Sequence, residues 1–259
     1  MPTKQSQEIA GASRGSINCL NRIGTLGTLY VVAVPIGHPD DVTVRAIQIL
    51  RTVDLVASEN PKAIQKLLAH HDIEVTVTSY GPGHLKEKAA VLLERLKQGT
   101  TIAFVSDTGS PLVVDPGSLL VTGAHAQGIS VVPIPGPSVV TAALSVAGFP
   151  CESFHFLGHL PRTIRSLTPR LVEALNRDVP TVAFCTEHLL TRALEILVRL
   201  APRRSVVLAT SLTTSNETII RGTAGQVSQR LREGLGDDNT IVLSGKTRGG
   251  RNIRTRKVC

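Results

Sequence analysis

Three short segments in the first 140 residues concentrate the side chains that can meet a ligand. The richest reads Ser106-Asp107-Thr108-Gly109-Ser110-Pro111-Leu112-Val113-Val114-Asp115-Pro116-Gly117 and follows a fully apolar run. Asp107 stands at the end of that run, where a carboxylate can accept hydrogen bonds from a ligand's hydroxyl or amine. Asp115 precedes Pro116 and reads as the N-cap of a helix with proline in its first turn. A second segment, Pro133-Ile134-Pro135-Gly136-Pro137-Ser138, is a stiff loop whose backbone can come close to whatever fills a cleft. Ser138 is placed to cap the next helix, whose N-terminus would favour a polar or carboxylate end of a ligand. The third segment, Ala33-Val34-Pro35-Ile36-Gly37-His38-Pro39-Asp40-Asp41, holds neither GxGxxG nor a Walker pattern, so the common nucleotide cradles are absent. On turn chemistry alone it is an ordinary strand-to-helix connection.

The elements that must position these segments alternate in type. Strands are expected at Leu29–Val34, Val53–Ala57, Glu74–Thr78, Thr101–Val105 and Ser130–Pro133. Helices are expected around Val44–Leu50, with Asp40 and Asp41 supplying negative charge to its start, and over Pro61–His70 and Leu85–Gln98. Two more open at Asp115-Pro116-Gly117 and at Gly136. Such alternation predicts an α/β domain over residues 28–148 with a largely parallel sheet. All three segments then fall at the carboxyl ends of strands, where open α/β sheets bind ligands. Gly148-Phe149-Pro150 reads as a hinge. A second α/β domain is expected over 151–245, with strands at Ser153–Leu157, Thr181–Phe184, Ser205–Ala209, Glu217–Arg221 and Thr240–Leu243. Its helices are expected at Arg165–Arg177, His188–Leu200 and Ala224–Gly234, and the neighbouring strands near 205–221 imply a mixed sheet. Tails of residues 1–27 and 246–259 complete the division.

Composition narrows the function. With 259 residues, 42% hydrophobic and 19% charged, the chain can build a packed core and is no disordered polymer. Aromatics make up only 3%, so aliphatic residues build the core, and this scarcity argues against a base-stacking platform of the single-strand-binding type. Cys19, Cys151, Cys185 and Cys259 lie far apart without a CxxC, which excludes a zinc ribbon and argues for a reducing compartment; no metal is expected. The histidines are scattered and read as solvated or satisfied. The net charge of +8 sits in the tails: residues 246–259 alone carry Lys246, Arg248, Arg251, Arg254, Arg256 and Lys257 without an acid. The body is balanced, so its fold implies no basic groove. Arg162, Arg165, Arg170, Arg203 and Arg204 could meet phosphates if they shared a face, and the basic tail could add salt-dependent RNA affinity. No apolar h-region opens the chain, and the apolar stretch Val131–Phe149 is broken by Pro133, Pro135 and Pro137. A soluble, cytoplasmic protein with no membrane contact is expected.

The three segments, in their order, resemble the small-subunit ribosomal RNA methyltransferase I family of the tetrapyrrole methylase superfamily. The resemblance is carried by Gly27-Thr28-Leu29-Tyr30-Val31-Val32-Ala33-Val34-Pro35-Ile36-Gly37, by Ser106-Asp107-x-Gly109-x-Pro111 with Asp115-Pro116-Gly117, and by Val132-Pro133-Ile134-Pro135-Gly136-Pro137-Ser138. It implies two α/β domains with S-adenosylmethionine in the cleft between them, commonly in a homodimer, and methylation of a cytidine ribose 2′-hydroxyl in small-subunit rRNA. It further implies cofactor contacts from Pro35, Gly37, Ser106, Asp107, Gly109, Pro111, Leu112, Asp115, Pro135, Gly136, Pro137, Ser138 and Phe184. Glu59 is the carboxylate it places for proton removal, with Lys62 as a basic partner that could orient a phosphate. Glu187 and His188 form a second acid–base pair in sequence. The chain departs from the family at Glu59-Asn60-Pro61-Lys62, at Cys185-Thr186-Glu187-His188, at Thr210-Ser211-Leu212-Thr213-Thr214 and at Asp237-Asp238-Asn239. Glu217, Arg221 and Gly222 fit its pattern. The competing readings are a methylase of a corrin or porphyrin precursor and a non-catalytic paralogue that binds cofactor or RNA.

Overall fold

Strands that are buried along their whole length need cover on both faces. In the computed structural model, which describes residues 25–231, 238–246 and 253, this holds for β2 (Leu55–Ser58) and β4 (Ile102–Val105), buried at every position. With β1 (Thr28–Val32), β3 (Thr76–Ser79) and β5 (Ser130–Ile134) they form an all-parallel sheet in the order β3-β2-β4-β1-β5. The period-2 alternation of β4 divides the packing. Ile102 and Phe104 face α3 (Leu85–Lys97) and α4 (Ser118–Ala126), while Ala103 and Val105 face α1 (Val44–Leu50) and α2 (Pro61–His70). The result is a three-layer sandwich of helix, sheet and helix.

The second sheet runs β6-β7-β10-β8-β9, built from β6 (His155–His159), β7 (Thr181–Cys185), β8 (Ser205–Thr210), β9 (Thr218–Thr223) and β10 (Asn239–Leu243). Only β6 and β7 pair in parallel; β10 runs antiparallel between β7 and β8, and β8–β9 is antiparallel. The sheet is mixed, as the short polar connection between β8 and β9 implied. One face packs on α6 (Ile164–Leu175), α7 (Glu187–Leu200) and α8 (Ala224–Arg230).

The other face is covered by a helix from the first half of the chain. α5 (Val139–Ala147) buries Val140, Ala143, Leu144 and Ala147 against Val182, Val207, Ala209 and Val242. Its sequence VVTAALSVA carries no charge: the buried stripe faces the second sheet, while Thr141, Ser145 and Val146 are exposed. On the same side of the molecule, the Arg221 Nε donates to the Ala147 carbonyl at 3.1 Å, and its guanidinium lies 5.5 Å from the Phe149 ring centre.

Several element boundaries differ from expectation for local reasons. Val53 and Asp54 belong to the approach to β2, where the Asp54 carboxylate accepts from the Thr101 N–H and hydroxyl at 2.7 Å. Asp40 and Asp41 do not charge α1: they form a 3-10 turn with Pro39, and Thr43 caps α1 by accepting from the Ala46 N–H at 3.1 Å. α4 begins at Ser118 behind Gly117, so Asp115 is not its cap. Ser138 holds the N-cap position of α5 but makes no side-chain cap bond; its carbonyl accepts from the Ala142 N–H instead. The helix expected to reach Gly234 ends at Arg230, where Leu231 turns to an extended conformation; residues 232–234 lie outside the described residues, as do the N-terminal tail to residue 24 and most of the basic C-terminal one. No helix among the described residues is long and apolar enough to cross a membrane.

Leu190 on α7 is fully buried in the second core. Leu190→Ala should therefore lower the free energy of unfolding by about 2–5 kcal/mol, read from urea denaturation followed by circular dichroism.

Candidate active site

Chain direction creates the site before any side chain is considered. From β1 and β2 the chain leaves to α1 and α2 on one face; from β4 it leaves to α4 on the other. β4 lies between β2 and β1, so loops diverge on both of its sides, and a crevice opens at the carboxyl ends of these strands. An isolated antiparallel bridge ties the diverging loops: Val34 N–H donates to Gly109 O at 2.9 Å and Gly109 N–H to Val34 O at 3.1 Å. The third segment joins them, since Ser110 Oγ donates to Pro137 O at 3.3 Å and Gly136 comes so near Ala33 that a Cβ on it would lie 3.0 Å from the Ala33 Cβ. Sequence reasoning chose these three segments separately, and the fold brings them together.

Two adjoining clefts share Ile36 and Thr108 as their common wall. The first, about 220 Å³, runs between the two halves of the chain. Of the expected cofactor residues, Gly109, Asp115, Ser138 and Phe184 line it. Pro35, Gly37 and Asp107 line the second, about 330 Å³, beside α2. Ser106 and Pro111 are buried beneath the loop, and Leu112 packs toward the first core. Pro135, Gly136 and Pro137 line neither cleft and serve to hold the loop against its neighbours. Glu59 and Lys62 also lie outside both linings: Glu59 is half-buried one residue before the N-cap Asn60, and Lys62 is exposed in the first turn of α2. Glu187 opens α7 beside exposed His188, and neither lines a cleft.

The second half contributes lining residues that sequence reasoning did not select, among them His159, Ser211, Leu212, Thr214 and Thr240. Part of this set carries a sequence signal, because Thr210–Thr214 and Asp238–Asn239 depart from the family pattern. His159 gave none. It reaches the cleft because the pairing of β6 shifts between Phe156 and His159, around Gly158 at φ +69°, and its ring stacks edge-on to Phe184. Two of the arginines considered for phosphate are committed elsewhere: Arg204 donates to the carbonyls of Leu175 and Ser244, and Arg170 pairs with Glu173 at 2.7 Å. Cys185 is buried and its thiol is pushed up to about 12, which removes it as a nucleophile.

Electrostatically, the centre of the site is a group of carboxylates. Glu59 is held above the usual carboxylate range, first by burial and then by the charges of Asp107 and Asp115. Asp115 is raised in the same way, by burial and by Asp107, against a hydrogen bond from Ser106. The one Ser106 hydroxyl proton is also within reach of Thr108 O at 3.1 Å and Gly109 O at 3.3 Å. The group creates a negative potential that favours a cationic ligand beside it. Backbone strain concentrates in the same walls: Leu112 and Val114 adopt φ of +69° and +76°, and Ser211 and Thr213 of +48° and +63°. A β-branched valine in that region is held there only by its surroundings.

Gly37 sets how closely the halves approach. A Cβ at this position would collide with the Leu212 carbonyl and lie 2.7 Å from Thr213 Oγ1. The next residue fastens the contact, since His38 N–H donates to Thr213 Oγ1 at 2.9 Å, while Thr213 N–H donates to Glu217 Oε2 at 2.8 Å. Gly37→Val should destabilise the protein by about 1–3 kcal/mol and widen the first cleft, seen as a lower melting temperature and a larger radius of gyration in solution scattering. In Asp107→Asn, the pKa of Glu59 and of Asp115 should both fall, since one repelling charge is gone; a carbon-detected NMR titration of the carboxyls reads this directly.

The chain matches the family of Tetrapyrrole (Corrin/Porphyrin) Methylases over residues 28–228. It is 38% identical over 207 residues to a ribosomal RNA small subunit methyltransferase I from Halalkalibacterium halodurans, covering 80% of this chain and 72% of that protein. To the protein of the same name from Leptospira biflexa it is 40% identical over 194 residues, covering 75% and 81%. Among solved structures, uroporphyrin-III-C-methyltransferase from Thermus thermophilus superposes with a TM-score of 0.62 at 21% identity, over 84% of this chain and 94% of that one. A diphthine synthase superposes with a TM-score of 0.65 at 18% identity, over 85% and 91%. These structural likenesses concern the fold. A match over most of the body, with relatives at this level of identity, makes the chain a methyltransferase belonging to the tetrapyrrole methylase family, on the branch of the ribosomal RNA small subunit methyltransferases I.

Proposed function

We propose that the protein transfers a methyl group from S-adenosylmethionine to the ribose 2′-hydroxyl of a cytidine in small-subunit rRNA. The reading is carried by two adjoining clefts that share Ile36 and Thr108, with Asp115 lining the first, Asp107 the second, and Glu59 coupled electrostatically to both carboxylates from outside the two linings. The names of the relatives supply the substrate class. The first cleft fits the cofactor in kind. Its lining mixes aliphatic and aromatic side chains with hydroxyls and the Asp115 carboxylate, and the nearby negative potential suits a sulfonium and an ammonium group. When bound, the cofactor supplies an electrophilic methyl group.

The chain's own residues do the rest. Asp115 and Ser138 offer polar contacts in the first cleft, and Phe184 offers an apolar wall. Glu59 accepts the proton that the ribose hydroxyl loses as its oxygen takes the methyl group. A carboxylate raised by burial is a better base than an ordinary one, which is the use we assign to the coupling with Asp107 and Asp115. Lys62 and exposed Lys66, one turn apart on α2, give phosphates a basic rim beside the second cleft, which Lys66 lines. A cytoplasmic location, expected from the cysteine usage, and a homodimer, carried over from the family resemblance, complete the reading.

Calorimetric titration with S-adenosylmethionine and S-adenosylhomocysteine should give saturable binding that weakens in Asp115→Ala. Absence of binding in the intact protein, with or without undermethylated small subunits present, would favour a non-catalytic paralogue instead. Transfer of labelled methyl to undermethylated small subunits should fall by about 10²–10⁴-fold in Glu59→Gln with cofactor affinity kept. Because Glu59 must be ionised to act, the rate should drop on acidification with a midpoint above that of an ordinary glutamate, a limb that disappears in Glu59→Gln. Lys62→Ala should weaken RNA binding at all sequences and reduce the slope of log affinity against log salt by about 1.

A further inference from the structure

Asp40, His70 and His71 take no part in the chemistry above, yet the fold gathers them from two elements. Asp40 lies in the 3-10 turn after β1, His70 is the last residue of α2, and His71 is its C-cap. One nitrogen or oxygen from each lies within 4.8 Å of the others. His70 Nε2 is 2.8 Å from Asp40 Oδ1, and His71 Nε2 is 3.2 Å from the Pro39 carbonyl oxygen. We propose that Asp40, His70 and His71 form a site for a divalent transition-metal ion of the zinc type.

The donor set selects that class. Two imidazoles with one carboxylate suit zinc, cobalt or nickel, whereas magnesium and calcium require oxygen ligands. The side chains of Asp40 and His70 are 65% and 46% exposed, so they can turn to the roughly 2.0–2.2 Å that such an ion needs. Neighbouring groups take other roles. His38 Nδ1 accepts from the Asp40 N–H at 3.2 Å, and Arg51 donates to the His71 carbonyl at 2.9 Å. An ion held by three protein ligands keeps a position for water or a substrate oxygen. It would tie the loop after β1 to the end of α2, whose residues Pro39, Lys66 and His70 line the second cleft.

The test uses the full chain without an affinity tag, stripped with a chelator and titrated with zinc alone by calorimetry and by competition with a chromophoric chelator. Cobalt in a parallel titration gives a visible absorption band. The expected result is one saturable equivalent that also raises the melting temperature. Affinity should fall about tenfold or more in Asp40→Asn and in His70→Gln, since even outer partners of a metal ligand cost that much. His125→Gln, on α4, should bind as the parent does. Zinc binding that persists unchanged in both Asp40→Asn and His70→Gln overturns the proposal, as does the absence of saturable binding below millimolar zinc.

Discussion

The two reciprocal hydrogen bonds between Val34 and Gly109 are the smallest sheet element among the described residues, and the site depends on them. β1 and β4 are neighbours whose chains depart to opposite faces, so nothing in the regular ladder holds their loops together beyond Val32 and Val105. The bridge extends that contact past the strand ends. Gly109 is suited to it because its φ of +69° turns the chain and because a side chain there would press on Ile36. From this point the loop can project Asp107 toward one cleft and Asp115 toward the other, while Ser106 stays buried below.

Three carboxylates in one place are a cost that folding must offset elsewhere. The offset is structural and comes from the interlocked walls: Ser110 on Pro137, Gly136 against Ala33, and His38 on Thr213. Strained residues occur in both halves where they meet, at Leu112 and Val114 on one side and at Ser211 and Thr213 on the other. Strain and like-charge repulsion gathered around adjoining clefts, and held by contacts about them, are a common mark of a functional site.

The first sheet was legible in the sequence because its strands are short β-branched runs followed by amphipathic helices with caps. Asn60 before Pro61 is such a cap: its side chain accepts from the Ala63 N–H at 3.3 Å. The loops were legible because Gly, Pro and Asp gather at strand ends. Other features leave no local trace. Asp115 resembles an N-cap because Pro116 follows it, but α4 starts only at Ser118 with Gly117 in the N-cap position, and the left-handed residues Leu112 and Val114 before it are of types that do not announce such a turn. The meeting of Asp40 with His70 and His71 spans 30 residues and depends on where α2 ends. The lining from the second half depends on how its loops meet those of the first, as at Gly37 and Thr213, which no periodicity encodes.

The placement of α5 has a consequence for the molecule as a heritable and divisible object. The apparent hinge at Gly148-Phe149-Pro150 invites a cut, but the helix before it completes the core of the sheet after it. A piece ending at Gly148 would carry Val140, Ala143, Leu144 and Ala147 without their partners, and a piece beginning at Pro150 would leave Val182, Val207 and Val242 uncovered. The two halves are therefore modules in topology but not in stability, and neither is a self-sufficient unit for exchange with another chain.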